Sequence, residues 1–266
     1  MSARFVHVIN PAKVGPDSSL HVAQPITFES LRVAREFAAS HGVDVDLCAA
    51  NFPDDDDIVP EFFRCRKHLT RSVLDLGKFK IERKLPLIAD ILEGARSTST
   101  AAHIIYTNVD IAVQPHFYTS IDETLRRGID ACMITRRTLK REYTSPSQLA
   151  EMYADEGVEH PGDDCFIFSR AALAKFDLGD ACIGIKFVAR ILAFNLILNA
   201  QRFEHFRNLH LTFHIGDDRV WDDEKFADYT AHNERVLRRI AGENRERAAK
   251  IDNPLLARWV KKFGAQ

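Results

Sequence analysis

The chain has 266 residues, of which 45% are hydrophobic and 28% are charged, so the composition predicts a folded domain with a sizeable core and excludes general disorder. Its 36 Lys and Arg residues nearly balance 38 Asp and Glu residues, which gives a formal charge of −2. Proteins dedicated to nucleic-acid binding are usually basic overall, so no nucleic-acid partner is expected.

The cysteines and the amino-terminal segment indicate the cellular compartment. The five cysteines are widely separated and form no CxxC pair, which argues against a structural zinc site and a secreted disulfide framework. The first residues lead into a strand and lack the apolar stretch of a signal peptide. The most apolar segment, residues 183–200, contains Lys186 and Arg190 and is typical of a buried helix. We therefore expect a cytoplasmic protein without a transmembrane segment.

Predicted strands and helices alternate along the first half of the chain. Apolar segments predict strands at residues 5–9, 43–49, 103–107 and 129–135, and amphipathic segments predict helices at residues 27–40, 86–95 and 118–127. Thr27 is the expected cap of the first helix. The basic segment at residues 62–84 is expected to be partly helical. Strands separated by helices of this length predict an α/β fold, with a mostly parallel open sheet and helices on both faces.

The second half is less regular. Residues 144–159 are polar and predict a loop with one short helix, residues 164–169 predict a strand, and residues 186–199 predict an apolar helix. Residues 203–215 are typical of a hairpin or an extended edge strand. The charged tail from about residue 222 predicts a helix. We find no internal repeat or low-complexity linker, so we expect one domain over residues 1–266.

The strand predicted at residues 103–107 runs into Asn108-Val109-Asp110. In an open α/β sheet, ligands bind beyond the carboxyl ends of the strands, so Asn108 and Asp110 are candidate binding residues. A carboxylate at this edge is suited to Mg²⁺ or Mn²⁺, which would neutralise a diphosphate. The alternative is that both side chains cap a turn.

A basic segment precedes that strand. Residues 64–84 contain eight Lys and Arg residues and only two acids, an uneven distribution in a slightly acidic chain. An anionic ligand such as a nucleotide diphosphate would contact one or two of these cations, and the candidates are Lys80, Arg83 and Lys84. Asn10, which follows the first strand, is a further candidate. The alternative is a solvated basic surface.

Two later polar groups flank apolar strands. Asp163 and Asp164 enter a strand from a turn that contains Gly162, so at least one carboxylate should face the sheet edge, where it can bind or deprotonate a hydroxyl. The alternative is an Asx turn. His214 lies just before a Gly-Asp-Asp sequence and is a candidate metal ligand or phosphate contact. An ordinary core or surface histidine is the alternative there.

Two charged segments have simpler interpretations. Residues 54–57 are four consecutive aspartates without the ligand alternation and glycine of a calcium loop, so we expect a solvated loop. Residues 255–263 are basic and amphipathic. We expect a helix packed on the domain, with peripheral contact to a membrane surface as the alternative.

Several of these segments, in this order, resemble glycosyltransferases of the GT-A type, the nucleotide-diphospho-sugar transferases. The matching segments are residues 84–92, 106–111, 162–168, 183–184 and 214–218. In that fold a strand-end Asp-x-Asp motif binds a divalent metal and the sugar-nucleotide diphosphate, and a late histidine often completes the metal shell. Asn108-Val109-Asp110 matches the motif with an amide in place of the first carboxylate, and His214 matches the late histidine.

The resemblance implies an enzyme of carbohydrate biosynthesis that transfers a sugar from a nucleotide-diphosphate donor to a hydroxyl of a glycan, a lipid-linked molecule or a small molecule. The implied roles are metal binding (Mn²⁺ or Mg²⁺) for Asp110 and His214, nucleotide binding for Asn10, Lys80, Arg83, Lys84 and Asn108, and acceptor activation for Asp163 or Asp164. The replaced carboxylate leaves two alternatives open. One is a nucleotide-sugar-binding protein of this fold without transfer activity, and the other is a different metal-diphosphate enzyme such as a nucleotidyltransferase.

Overall fold

In the computed structural model, which describes residues 5–216 and 224–264, nine strands of the described chain form one sheet. In chain order they are Phe5–Ile9 (β1), Val45–Asn51 (β2), Cys65–His68 (β3), His103–Thr107 (β4), Ile111–Val113 (β5), Ala131–Thr138 (β6), Val158–Ser169 (β7), Phe203–Phe206 (β8) and Thr212–His214 (β9). Their order across the sheet is β3-β2-β1-β4-β7-β6-β9-β5, and β8 pairs with the first half of β6.

Helices flank this sheet. They are Ser19–Ser40 (α1), Ile88–Thr98 (α2), Phe117–Arg126 (α3), Leu149–Ala154 (α4), Arg170–Leu173 (α5), Val188–Asn199 (α6), Ala227–Glu243 (α7), Arg245–Ala248 (α8) and Pro254–Phe263 (α9). Short 3-10 turns lie at Pro53–Ile58, Val73–Asp75, Pro146–Gln148 and Glu224–Phe226. Within the described residues, no helix has both the length and the apolar character needed to cross a membrane.

The strand directions confirm the predicted fold class and refine it. β1 is parallel to β2 and β4, β2 is parallel to β3, and β6 is parallel to β8 and β9. β7 runs antiparallel between β4 and β6, and β5 runs antiparallel to β9. The fold is therefore α/β, with a mixed but mostly parallel sheet between layers of helices.

Side chains of the central strands are buried on both faces of the sheet. Val6 and Val8 pack in the layer that contains α2 and α6, whereas Phe5 and Ile9 pack in the layer that contains α1 and α3. All four side chains are fully buried. Burial of each such side chain contributes about 1.5–3 kcal/mol, which explains why these strands are continuous apolar segments in the sequence.

Helix α1 begins earlier than the sequence predicts. The Ser18 hydroxyl accepts a hydrogen bond from the backbone N–H of Leu20, so the helix begins at Ser19 instead of residue 27. Thr27, the expected cap, is buried within the helix. Pro25 also lies inside the helix, although proline removes one backbone donor and usually marks a helix boundary.

Other segments also differ from the predictions. Residues 203–215 do not form a hairpin, because β8 and β9 each pair with β6 in parallel. The basic segment contains β3 and one 3-10 turn but no α-helix. Residues 54–57, predicted as a solvated loop, lie in a 3-10 turn that has no buried residue. Asp217 and Asp218 lie outside the described residues, and the charged tail is helical from Ala227.

The carboxyl-terminal helix α9 packs on the domain, as the sequence predicts. Its apolar side chains Leu256, Trp259 and Phe263 are buried in the same layer as α2 and α6. Arg258 and Lys262 lie on its exposed face. The apolar face that a membrane-surface helix would insert into lipid is therefore already covered by protein.

Candidate functional site

The carboxyl ends of β1, β2 and β4 lie side by side, because these strands are parallel neighbours. Asn10 follows β1 and Asn108 follows β4, so the fold brings both to the predicted edge. Asn10 is buried, and its Nδ2 donates a hydrogen bond to the backbone carbonyl of Ala50 in β2. This contact fixes the Asn10 side chain against the neighbouring strand.

Asn108 connects two polar side chains across β4 and β7. The Tyr106 hydroxyl donates to Oδ1 of Asn108 at 3.0 Å, and Nδ2 of Asn108 donates to Oδ1 of Asp164 at 2.9 Å. Arg136 Nη1 donates to the other oxygen of Asp164 at 2.5 Å. Burial raises the pKa of Asp164 to about 6, although the Arg136 guanidinium acts in the opposite direction. Asp164 is therefore held by contacts to both of its oxygens.

A β-bulge in β7 determines where Asp163 and Asp164 point. Ile134 lies opposite Cys165 and Thr135 lies opposite Asp163, so Asp164 is an extra residue in β7. In a regular strand these consecutive carboxylates would point to opposite faces of the sheet. The bulge places Asp163, instead of Asp164, opposite Thr135, and there Asp163 accepts the Thr135 hydrogen bond while Asp164 contacts Arg136.

Asp163 forms a compact cluster with two side chains of β6 and β8. Its Oδ1 accepts a hydrogen bond from Thr135 Oγ1 at 2.7 Å and lies 2.9 Å from Nε2 of His205. The Thr135 hydroxyl lies 3.0 Å from the same nitrogen. Neither His205 nor Thr135 is predicted as a site residue from the sequence. His205 belongs to a four-residue strand that carries no motif, and only its parallel pairing with β6 brings it to Asp163.

Asp110 and His214, the two predicted metal ligands, lie next to each other. Ile111 of β5 pairs with His214 of β9, and the backbone N–H of Ile215 donates to the Asp110 carbonyl at 2.9 Å. Nε2 of His214 lies 3.1 Å from Oδ2 of Asp110. Oδ1 of Asp110 is buried and has no hydrogen-bond partner within the described part of the chain. A buried carboxylate oxygen without a donor indicates a group that a cation would complete.

Comparison with known proteins supports the fold that the sequence resemblance implies. No protein-family model and no curated protein matches the chain. Residues 1–349 of S. aureus TarS in complex with UDP-GlcNAc superpose with a TM-score of 0.55 and 11% sequence identity, covering 98% of this chain and 71% of TarS 1–349. Glucosyl-3-phosphoglycerate synthase from Mycobacterium tuberculosis, in complex with Mn²⁺, UDP and glucosyl-3-phosphoglycerate, superposes with a TM-score of 0.51 and 16% identity, covering 89% of this chain and 78% of the synthase. The chain has the GT-A glycosyltransferase fold.

Within this fold, the Asp110–His214 pair offers a carboxylate and an imidazole, which are ligand types that a divalent cation such as Mn²⁺ accepts. The separation of 3.1 Å is that of a hydrogen bond between the two side chains, so a bound cation would replace this contact. Within residues 5–216 and 224–264, no group of three His, Cys, Asp or Glu side chains is positioned to hold a metal. A cation at this pair would therefore draw further ligands from diphosphate oxygens and water, as Mg²⁺ commonly does.

The three predicted cations do not lie together. Lys84 reaches the carboxyl edge, where its Nζ lies 3.6 Å from Asp54 and 4.2 Å from the centre of the Phe52 ring, just after β2. Arg83 lies over the ring of Phe226 at 4.7 Å. The Lys80 backbone N–H donates to a side chain at the start of α7, which anchors this loop on that helix. Among the three, Lys84 is the residue placed beside the ends of β1 and β2.

A cavity of about 790 Å³ borders His214. It lies between the start of α1, the segment after β6 and the end of β9, and its walls include Ser19, Lys140, Arg141 and Gly216. In the order of the sheet, Asn10 and Lys84 lie on the β1–β2 side of Asp110, whereas this cavity lies on the β6–β9 side. The Asp110–His214 pair therefore lies between these two regions of the sheet edge.

Proposed function

We propose that this protein is a glycosyltransferase that moves a sugar from a nucleotide-diphosphate donor to a hydroxyl acceptor. The observation that carries the proposal is the meeting of Asp110 and His214 beside Asn108 at the carboxyl edge of a GT-A-fold sheet. The TarS complex with UDP-GlcNAc and the synthase complex with UDP and Mn²⁺ support this class of donor. We infer a uridine nucleotide on that basis.

In this proposal Asp110 and His214 hold Mn²⁺ or Mg²⁺. The bound cation would offset the negative charge that builds up on the leaving diphosphate. The amide of Asn108 adds no charge to the site, so the protein supplies a single carboxylate from this tripeptide. The donor phosphates would supply the remaining negative charge around the cation.

The donor nucleotide would lie across the ends of β1 and β2, near Asn10 and Lys84. Lys84 lies over an aromatic ring in an exposed position, where its charge is available to an anionic ligand. Arg83 and Lys80 are second-rank candidates for nucleotide contact, because the loop that carries them is anchored on α7. The acceptor would enter from the side of the cavity beside His214, and Asp163 or Asp164 would engage its hydroxyl.

A second candidate is a nucleotide-sugar-binding protein of the same fold that does not transfer the sugar. The observation that favours it is Asn108, which stands where the Asp-x-Asp motif has its first carboxylate and is hydrogen-bonded to Asp164. Release of UDP from a bound donor separates the two candidates, because a binding protein would hold the intact donor.

Isothermal titration of UDP into the protein, with and without Mn²⁺, tests the proposal. We expect Mn²⁺-dependent binding that weakens at least about 10-fold in Asp110→Asn, since changes even outside the ligand shell of a metal commonly cost 10- to 100-fold in affinity. Asp252→Asn, at an exposed carboxylate in the distant carboxyl-terminal region, is the matched control and should bind normally. Equal UDP affinity in wild type and Asp110→Asn, with equal dependence on Mn²⁺, would contradict the metal site.

A further inference from the structure

Asp163 and Asp164 are adjacent in sequence but differ in their contacts. Both oxygens of Asp164 are occupied, one by the Asn108 amide at 2.9 Å and one by Arg136 at 2.5 Å. Asp163 uses one oxygen, Oδ1, for Thr135 and His205. Within the described residues its Oδ2 accepts no hydrogen bond and is not among the buried polar atoms, so it is open to a ligand.

The contacts of Asp164 make it unsuited to accept a proton from a substrate. A proton on either oxygen would displace the Asn108 amide or break the ion pair with Arg136, whose side chain is itself only 8% exposed. Protonation of Asp164 would therefore remove one of the two contacts that hold this side chain. Asp164 instead holds the amide of Asn108 in place beside Asp110 and His214.

Asp163 has the features that Asp164 lacks. Its side chain is 22% exposed, compared with 12% for Asp164, and its second oxygen is open. The bulge places it opposite Thr135 of β6 and next to Asp164, which in turn binds Asn108. The charged groups near it include His205 on β8, with Arg207 beside that ring, and Asp164 on its own strand.

His205 fixes the orientation of this carboxylate. Its ring is 14% exposed, its Nε2 lies 2.9 Å from Asp163, and its Nδ1 lies 3.4 Å from Nε of Arg207. With the proton on Nε2, the imidazole donates to Oδ1 and leaves Oδ2 directed away from β8. A carboxylate oriented by an imidazole and a hydroxyl is a suitable general base, because its position is set before the substrate binds.

We propose that Asp163 is the general base toward the acceptor hydroxyl, with His205 as its positioning residue and Asp164 as the residue that positions Asn108. This assignment rests on the proposed glycosyltransferase function. In the step it implies, the acceptor O–H gives its proton to Oδ2 of Asp163 while the acceptor oxygen forms a bond to the anomeric carbon. The bond from that carbon to the diphosphate oxygen breaks, and its electron pair leaves with the diphosphate. A single displacement of this kind inverts the anomeric configuration.

The experiment uses UDP-GlcNAc with Mn²⁺ as the donor, and water and methanol as acceptor hydroxyls. We expect Asp163→Asn to lower kcat for UDP release by about 10²- to 10⁴-fold, the usual contribution of a general base. The glutamine side chain in His205→Gln can still donate a hydrogen bond but cannot carry a charge. This variant should lower kcat by about 10-fold and alter the pH–rate profile, while the KM for the donor stays unchanged. His41→Gln, at the end of α1 on the opposite edge of the sheet, is the control and should retain the wild-type rate.

Two readouts separate this role from a structural one. The affinity for UDP should change less than about threefold in both variants, since neither residue contacts the nucleotide. Methyl N-acetylglucosaminide formed from the α-linked donor should have the β configuration by NMR. Should Asp163→Asn fail to fold, as judged by its melting curve, His205→Gln still tests the assignment.

The assignment would be overturned by a kcat in Asp163→Asn or His205→Gln close to that of wild type, or by a methyl glycoside that retains the α configuration. Wild-type protein that binds UDP-GlcNAc but never releases UDP would instead reject the proposed transferase in favour of the binding protein. Failure of the wild type to bind any uridine nucleotide would reject both candidate functions, so these failures are distinguishable from a failure of the base assignment.

Discussion

His7 is a fully buried histidine in the central strand β1. Its Nδ1 lies 2.8 Å from the Tyr118 hydroxyl and its Nε2 lies 2.9 Å from Thr107 Oγ1, so both ring nitrogens have hydroxyl partners. Burial lowers the pKa of His7 to about 3. The ring is therefore neutral in the folded protein over the physiological range, whereas the same histidine in the unfolded chain binds a proton near pH 6.5.

This difference predicts a loss of stability in acid. Below pH 6.5 the unfolded state binds the proton and the folded state does not, so the free energy of unfolding should fall by about 2 kcal/mol by pH 5 because of His7 alone. Urea denaturation of wild type and His7→Gln at pH 7.5 and pH 5 measures this contribution. The variant should be less stable at pH 7.5 but should lose less stability on acidification. Equal losses of stability between pH 7.5 and pH 5 in the wild type and in His7→Gln would contradict the prediction.

The sequence identifies the site residues that flank apolar runs and misses those that lie elsewhere in the strands. Asn108 and Asp110 could be found because they follow an apolar run at the sheet edge, and Asp163 and Asp164 because they precede one. Thr135 and Arg136 lie within β6, where no local pattern marks them as partners of β7. The bulge that places them there is a property of the pairing between β6 and β7, which a single strand does not encode.

Among the elements, the connection from α4 to β7 depends on one glycine. Gly157 has φ of +59°, and a Cβ added there would lie 2.4 Å from the carbonyl oxygen of Thr138 at the end of β6. Gly157→Ala should therefore lower the free energy of unfolding by about 1–3 kcal/mol, through backbone strain and the clash. Urea denaturation measures the change.

Gly242→Ala is the matched control for that experiment. Gly242 lies near the end of α7, and an added Cβ there meets nothing within 4 Å. The substitution should leave the protein equally stable or stabilise it by roughly 0.5–1 kcal/mol, because alanine favours helix over glycine. Equal stabilities of the two variants would show that the turn tolerates a side chain.

The boundaries of elements were the least predictable part of the fold. The sequence suggested a late start for α1 because Thr27 was the expected cap, yet Ser18 caps the helix and the buried face of α1 extends back through Pro25. β5 and β9 contain three residues each, too few for alternation to be recognised. β7 begins at Val158, within a segment whose polarity predicts a loop.

At the scale of the whole molecule, the alternation of strands and helices was enough to predict an α/β fold with a mostly parallel sheet. The antiparallel direction of β7 was not predictable, because strand direction depends on how the long segment after β6 returns to the sheet. The division into one domain over residues 1–266 stays a prediction.

Ligand binding should stabilise the whole molecule if the proposed function is correct. A ligand that binds only the folded state adds about 2.7 kcal/mol at 100 times its Kd, which corresponds to roughly 5–10 °C in Tm for a protein of this size. Thermal melts with UDP and Mn²⁺ together should show this shift, and Asp110→Asn should lose its Mn²⁺-dependent part. An identical Mn²⁺-dependent shift in Tm in Asp110→Asn would place the nucleotide away from Asp110 and His214.

The position of β7 has a consequence for how the chain folds as it is synthesised. β1 to β4 and the helices between them form a parallel unit within residues 5–107, but the free edge of β4 pairs with β7, whose last residue is Ser169. Until that residue has left the ribosome, β4 presents unpaired backbone groups and an apolar flank to the solvent. Such an edge invites pairing with other chains. The nascent chain is therefore most prone to aggregation during the synthesis of about sixty residues, between β4 and the end of β7.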